Sequence, residues 1–269
     1  MPDALLFDTL RTPRASTRPH GAFREVRPFR LPAKLLRELQ TRNPTLDLSS
    51  VSDLLLGCVS AVGDQGYNVA QAALQDTSWP DTVGAATVNR YCASGLETVL
   101  QAYARITAGL DEAIVAGGLE SMSRVPLGAG GGPVLEDPEL TLSKRLLPQG
   151  IAADLIATLR GYSREQLDGY ALASQQRAAA ARDGGHFAHS LIDISDRSDI
   201  TLLTEAELIR DDTDAEKLAA LRPAFAKTVP ARGGGLPAGG FDALALASYP
   251  EISEVRHVHT AGNSSALAD

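Results

Sequence analysis

Two cysteines, Cys58 and Cys92, and five histidines are the residues of this sequence best equipped for nucleophilic or acid–base chemistry. Cys92 has the more suggestive setting. It stands in residues 87–99, TVNRYCASGLETV, where a β-type run ends near Asn89 and a helical pattern starts within a few residues. The first turn of a helix presents unpaired backbone N–H groups and a partial positive charge. Both favour a thiolate over a thiol, and the thiolate is the attacking form. The backbone N–H of Cys92 is a candidate donor to an oxyanion, and the small Ser94 and Gly95 would let a thioester approach the main chain. Taken alone, these features leave open the commoner role of a free cysteine as a buried apolar residue. Cys58, inside LLLGCV, reads as such a core residue.

The remaining polar groups carry weaker signals. His257 and His259, two apart in EVRHVHT, would share one face of a strand and imitate a metal pair, but no third ligand accompanies them, so a structural or exposed role is expected. His20, His186 and His189 sit in polar loops. Glu120 in GGLESMS invites an acid role, yet hydrogen bonding at a domain junction is the expectation. The glycines of LGAGGGP (127–133) lack the lysine of a phosphate-cradling loop. The acidic run at 211–214 reads as a solvated cluster.

Elements able to position Cys92 are legible around it. Apolar runs at 4–10, 54–60, 85–89 and 112–116 read as strands, and the patterns at 32–40, 68–75 (with an Asn cap) and 94–108 read as helices, the last stopped by Gly109. Strands separated by helices imply crossover connections and a mainly parallel sheet. After Glu120 the texture becomes helical and loop-rich. Residues 163–181 are its clearest helix, opened by a Ser163/Gln166 capping box. A short strand at 187–194, a helix at 215–221, a loop at 231–240 and a strand at 254–260 complete the reading. The expected fold is α/β: a mainly parallel mixed sheet covered by helices on both faces, carrying an inserted helical and loop-rich domain. The expected division is 1–118, 119–250 and 251–269, the last a re-entrant strand leading into a further domain.

Composition narrows the function classes. A hydrophobic content of 44% with 5% aromatics suits helix-on-sheet packing. The net charge of −8 argues against nucleic-acid binding. Two cysteines without paired spacing argue against a disulfide framework or a zinc site and suit a reducing cytoplasm. No apolar run approaches the roughly 20 residues of a membrane span, and the opening MPDALLFDTLRTPR is not a secretory signal.

Several segments together resemble the thiolase family. VNRYCASGLE resembles the thiolase nucleophile motif, and GGLESMS (117–123) the second signature of that family. Arg11-Thr12-Pro13, GCVSAVGDQG (57–66), QGIAADLIA (149–157), SREQLDGYALASQQRAAAA (163–181), KLAALRPAF (217–225) and HVHTAGNSSALAD (257–269) resemble further thiolase segments in order, so the similarity covers essentially the whole chain. Within the family it is most similar to bacterial degradative acyl-CoA thiolases.

The resemblance implies acyl transfer between coenzyme A thioesters, by thiolysis of a 3-ketoacyl-CoA or the reverse condensation of acetyl-CoA, with Cys92 as nucleophile. It implies coenzyme A and acyl-CoA as substrates, no metal or redox cofactor, a place in fatty-acid β-oxidation, and assembly as a dimer or tetramer. Arg222 in LRPAF matches a residue contacting the nucleotide of coenzyme A, Ser265 in AGNSS one bonding the pantetheine arm, and Gln149 a position where many relatives have methionine against the acyl–pantetheine group. The family's Gly-His-Pro base, its Asn-Glu-Ala-type loop and its second cysteine do not occur here. This leads us to expect an incomplete or split thiolase, inactive alone, with an exposed apolar face and a separately encoded C-terminal half as a candidate partner. The rival expectations are a non-catalytic coenzyme A-binding fragment and a related condensing enzyme such as a ketoacyl synthase.

Overall fold

A computed structural model describes residues 3–227 and 235–269. The chain forms two compact units. The first comprises residues up to 130 together with 186–208 and 267–269, and the second 131–185 and 209–266. The boundaries expected at 118 and 250 therefore do not coincide with this division: 186–208 folds with the first unit, and 251–266 with the second.

The first unit is built on a three-stranded parallel sheet, β1 (Val51–Gly57), β2 (Gly84–Val88) and β3 (Ala113–Gly118), in the order β2–β1–β3. Helix α2 (Val69–Gln75) joins β1 to β2, and α3 (Ser94–Thr107) joins β2 to β3. The strand order reverses direction between the two crossovers. Right-handed crossovers then put α2 and α3 on opposite faces, as the α/β expectation requires. On one face Leu54 and Leu56 pack with Ala33 and Leu36 of α1 (Arg30–Arg42) and with Ala70, Ala73 and Leu74 of α2. Asn68 caps α2, its side chain accepting from Gln71 N.

Helix α3 inverts the usual amphipathic rule. Its small or polar residues Ser94, Thr98 and Ala102 are buried, while Leu96, Val99, Leu100 and Tyr103 are exposed. Leu96, Leu100 and Tyr103, four and three residues apart, form one exposed apolar stripe, on a helix, whereas the exposed face expected from the sequence was one of the sheet.

Two expected strands are absent among the described residues. Residues 4–10 form no ladder, and Leu5, Leu6 and Phe7 are exposed, because no strand edge of this unit pairs with them. Residues 254–260 make a single isolated bridge, Thr260 to Pro223, in place of a strand. Of the strand expected at 187–194, residues 187–190 are turns and Leu191 makes one bridge to Arg11, before the short hairpin of β4 (Ile194–Ser195) and β5 (Thr201–Leu203).

The second unit is helical: α4 (Pro133–Glu136), α5 (Pro138–Lys144), α6 (Gln149–Arg160), α7 (Arg164–Asp183), α8 (Ala215–Ala219) and α9 (Gly240–Ser248). The expected capping box opens α7, with Ser163 and Gln166 bonding reciprocally. Helices α6 and α9 pack through Leu155, Ala245 and Val255 and through Ile151, Phe241 and Leu244. Of the loop expected at 231–240, residues 231–234 lie outside the described residues, and Gly240 already belongs to α9.

Candidate active site

Cys92 occupies a strand-to-helix turn at the carboxyl end of the parallel sheet, where ligands of open α/β folds gather. Strand β2 ends at Val88, Ala93 is the N-cap of α3, and Cys92 is exposed between them. Tyr91, immediately before it, has φ 50°, a left-handed conformation unfavourable for a bulky residue. Two side chains hold that conformation. The Asn89 carbonyl oxygen accepts from Tyr91 N (2.9 Å), and its amide donates to Val59 O (3.0 Å). Ser94 Oγ accepts from Arg90 N (2.8 Å) and donates to Tyr91 O (2.5 Å). The Asn and Ser of the nucleophile motif thus shape the turn.

Glycine lets the helix start close to the sheet. A Cβ on Gly57 would collide with the Ser94 carbonyl carbon and lie 2.5 Å from Gly95 N, both backbone atoms. A Cβ on Gly118 would stand 3.4 Å from both Gly57 O and Gly95 Cα. Thr98, fully buried, donates from Oγ1 to Gly117 O at 2.8 Å and ties α3 to the end of β3.

Glu120 has the structural role expected of it. Its carboxylate accepts from Val59 N (2.8 Å), Ser60 N (3.2 Å) and the buried Gln65 Nε2 (2.9 Å). Gln65 Oε1 in turn accepts from Ser121 N (2.5 Å). Val59 thus donates to Glu120 and accepts from Asn89, so both signature motifs brace one set of loops at the strand ends. Sequence reasoning did not single out Gln65. Its position in a polar loop gave no signal of full burial. Replacing Glu120 with alanine leaves the Val59 and Ser60 N–H groups without their acceptor and should lower stability by about 1–3 kcal/mol, measurable by urea denaturation.

The two cysteines differ sharply. Cys58 is buried, and burial first, then the Glu120 carboxylate, pushes its thiol up to about 12. Cys92 is exposed.

Gln149, Arg222 and Ser265 all belong to the second unit and are all exposed. Their segments are joined directly. Gly150 is packed so closely on the Phe225 ring that a side chain there would collide with it. Ala224 N donates to His259 O (2.9 Å), and Pro223 forms the bridge to Thr260. The start of α6, the LRPAF segment and the residues leading into AGNSS therefore pack against one another.

The paired histidines prove structural. Each bonds the fully buried Asp154 through Nδ1, His257 at 2.8 Å and His259 at 2.7 Å. The acidic run at 211–214 is more engaged than expected. Asp211 pairs with Arg182 and Asp212 with Lys217, while Asp214 caps α8. His20, His186 and His189 are exposed. No helix of the described residues is long and apolar enough to cross a membrane.

Residues 5–234 match the family model for the thiolase N-terminal domain. The 3-ketoacyl-CoA thiolase of Shewanella sp. (strain MR-7) is 38% identical over 230 residues, covering 84% of this chain and 58% of the relative. That of Shewanella sp. (strain ANA-3) gives the same identity and coverage. The chain thus spans 58% of the length of these relatives. The crystal structure of the Bacillus anthracis acetyl-CoA acetyltransferase superposes with a TM-score of 0.76 at 27% identity, over 100% of this chain and 64% of the other. Both signature motifs fall inside the matched region, and the chain belongs to the thiolase family.

Proposed function

We propose that this chain supplies the nucleophile and the coenzyme A-binding surface of an acyl-CoA thiolase acting on 3-ketoacyl-CoA. The carrying observation is Cys92, exposed in a braced turn at the start of α3. In the thiolytic direction Sγ attacks the C3 ketone and the C2–C3 bond breaks. The acyl group stays on sulfur, and the acetyl-CoA carbanion leaves and takes up a proton. A second coenzyme A thiol then attacks the acyl-sulfur thioester, its proton passing to Cys92 as the new acyl-CoA departs. The first N–H groups of α3 are suited to stabilising charge that develops beside this turn. By the family resemblance, the base for Cys92 and the proton donor for the carbanion come from a histidine and a second cysteine of a C-terminal half. In the second unit, Arg222, Ser265 and Gln149 are proposed to hold the nucleotide, the pantetheine arm and the acyl end, with no metal or redox cofactor. Names of relatives support a role in β-oxidation of fatty acids. The apolar stripe of α3 supports an assembled state, as a homo-oligomer or with a C-terminal half. The two unpaired cysteines suit a cytoplasmic setting.

The experiment is covalent trapping. Saturating acetyl-CoA should slow iodoacetamide modification of Cys92 about tenfold when present at ten times its dissociation constant. With a thiolase C-terminal half added to supply the base, peptide mapping should also find an acetyl group on Cys92, absent from Cys92→Ser. Protection without acetyl transfer in that mixture would reduce the chain to a coenzyme A-binding module. Unchanged modification in saturating acetyl-CoA would reject the proposal.

A further inference from the structure

The residues 257–259, which the chemistry above does not use, form an unusual charged cluster in the second unit. Asp154, on α6, is fully buried. Its Oδ1 accepts from Val258 N (3.1 Å) and His259 N (3.0 Å) and meets His259 Nδ1 at 2.7 Å. Its Oδ2 meets His257 Nδ1 at 2.8 Å. The other nitrogen of His257, Nε2, lies 3.0 Å from Asp242 Oδ2 on α9. A carboxylate oxygen can only accept a hydrogen bond. An imidazole between two carboxylates must therefore donate from both nitrogens, and it then carries a positive charge. Burial alone would push this imidazolium down, but the hydrogen bonds to Asp154 and Asp242 outweigh it and raise it.

We propose that His257 is a positioning residue for the coenzyme A surface: a protonated bridge between Asp154 and Asp242 whose loss of a proton as pH rises loosens the segment carrying Ser265. The proposal deepens the functional reading above and rests on it. The mechanical link is short. His257 opens the segment that continues through His259, whose carbonyl accepts from Ala224 N, to Thr260, which bridges Pro223 beside Arg222. Thr260 N donates to Asn263 Oδ1 (2.7 Å), closing the turn that leads to Ser265. Ser265 Oγ itself makes a long 3.5 Å contact to Ala266 O and is exposed.

The other charged groups here have partners of their own. Arg256 reaches Ala157 O and Tyr162 O at the end of α6. From α7, Asp168 accepts from Asn263 Nδ2 (2.8 Å) and pairs with Arg164 (2.7 Å). Arg210 approaches Gly262 O at 3.4 Å. Among the described residues, His259 faces Asp154 alone of the carboxylates. His257 is therefore the member of the cluster that spans two helices.

The sign follows from the raised value. The contribution of His257 is full below about pH 6.5, the ordinary imidazole value, and is lost as pH rises through its higher folded value. Neutral His257 keeps one proton, so either Asp154 or Asp242 loses its donor.

The test combines histidine and backbone-amide NMR titrations with acetyl-CoA calorimetry between about pH 6.5 and 9, on the full chain and on Asp242→Asn. An asparagine amide can donate to neutral imidazole and accept from the protonated form, so that variant holds the bridge in both states. In the wild type, acetyl-CoA affinity should fall at least about threefold across the His257 titration. The Thr260 and Ser265 amides should shift in step. In Asp242→Asn the His257 titration should move down and the affinity should stay flat. Parallel affinity profiles in the two proteins, or amides of 260–265 insensitive to His257, would overturn the proposal. If acetyl-CoA binds at no pH, the functional reading fails, and the coupled amide shifts still decide whether His257 positions the loop.

Discussion

In the native protein at about pH 8, iodoacetamide is expected to modify Cys92 at least about 10³ times faster than Cys58. The expectation has two physical parts. Alkylation needs the thiolate, and a thiol raised to about 12 holds roughly a 10³-fold smaller thiolate fraction at that pH than an ordinary cysteine near 8.5. Reagent must also reach sulfur, and Cys58 is 1% exposed, packed with Phe23, Leu31, Val69 and Leu119, whereas Cys92 faces solvent. Mass spectrometry of the intact chain should show one modification at a fast rate, lost in Cys92→Ser. A second should appear only as the protein unfolds in denaturant. Two cysteines reacting at comparable rates in the folded chain would contradict both the burial of one and the presentation of the other.

The second large effect concerns Gly57. Alanine there would put a methyl group into the Ser94 carbonyl carbon and 2.6 Å from its oxygen. Neither neighbour is a flexible side-chain end, so strand β1 or the start of α3 must move. Overpacking of this kind costs about 1–3 kcal/mol, and the upper part of that range is expected because backbone meets backbone. Melting should fall by roughly 5–10 °C. Because the displaced atoms form the first turn after Cys92, its alkylation rate should change as well. The neighbouring strand provides the control. A methyl group on Gly117 would meet Leu56 Cδ2 at 3.8 Å, an ordinary contact. Gly117→Ala should therefore melt close to the wild type. Equal melting of Gly57→Ala and the wild type would mean that helix and sheet are less tightly apposed than described.

The contrast between Gly57 and Gly117 also marks how far the sequence could be read. The alternation of apolar runs and helical periods around Cys92 located β1, β2, β3, α2 and α3, and the capping box at Ser163 located α7. The strand-to-helix setting of Cys92 and the hydrogen-bonding role of Glu120 were likewise legible, because motif and local pattern agreed. What failed were strands inferred from alternation alone. Residues 4–10 and 254–260 have the right spacing, but a strand is a relation between two segments, and the spacing carries no information about the partner. Gln65 and Asp154 escaped notice for a related reason. Their partners Ser121 and His257 are 56 and 103 residues away. The histidine pair drew attention as two residues on a common face, when the organising group was a buried carboxylate on α6. Gly57 looked like any glycine in an apolar run until the start of α3 was seen against it.

Helix α3 also changes how tolerance to replacement should be interpreted in this chain. Leu96, Val99, Leu100 and Tyr103 are out in water, and its buried positions are a serine, a threonine and an alanine. A survey scored for folding of the isolated chain would find Leu96 and Leu100 permissive and Thr98 exacting, the reverse of a hydropathy ranking. Any intolerance of Leu96 or Leu100 in the cell would then report on what the helix meets there, separately from whether the chain folds.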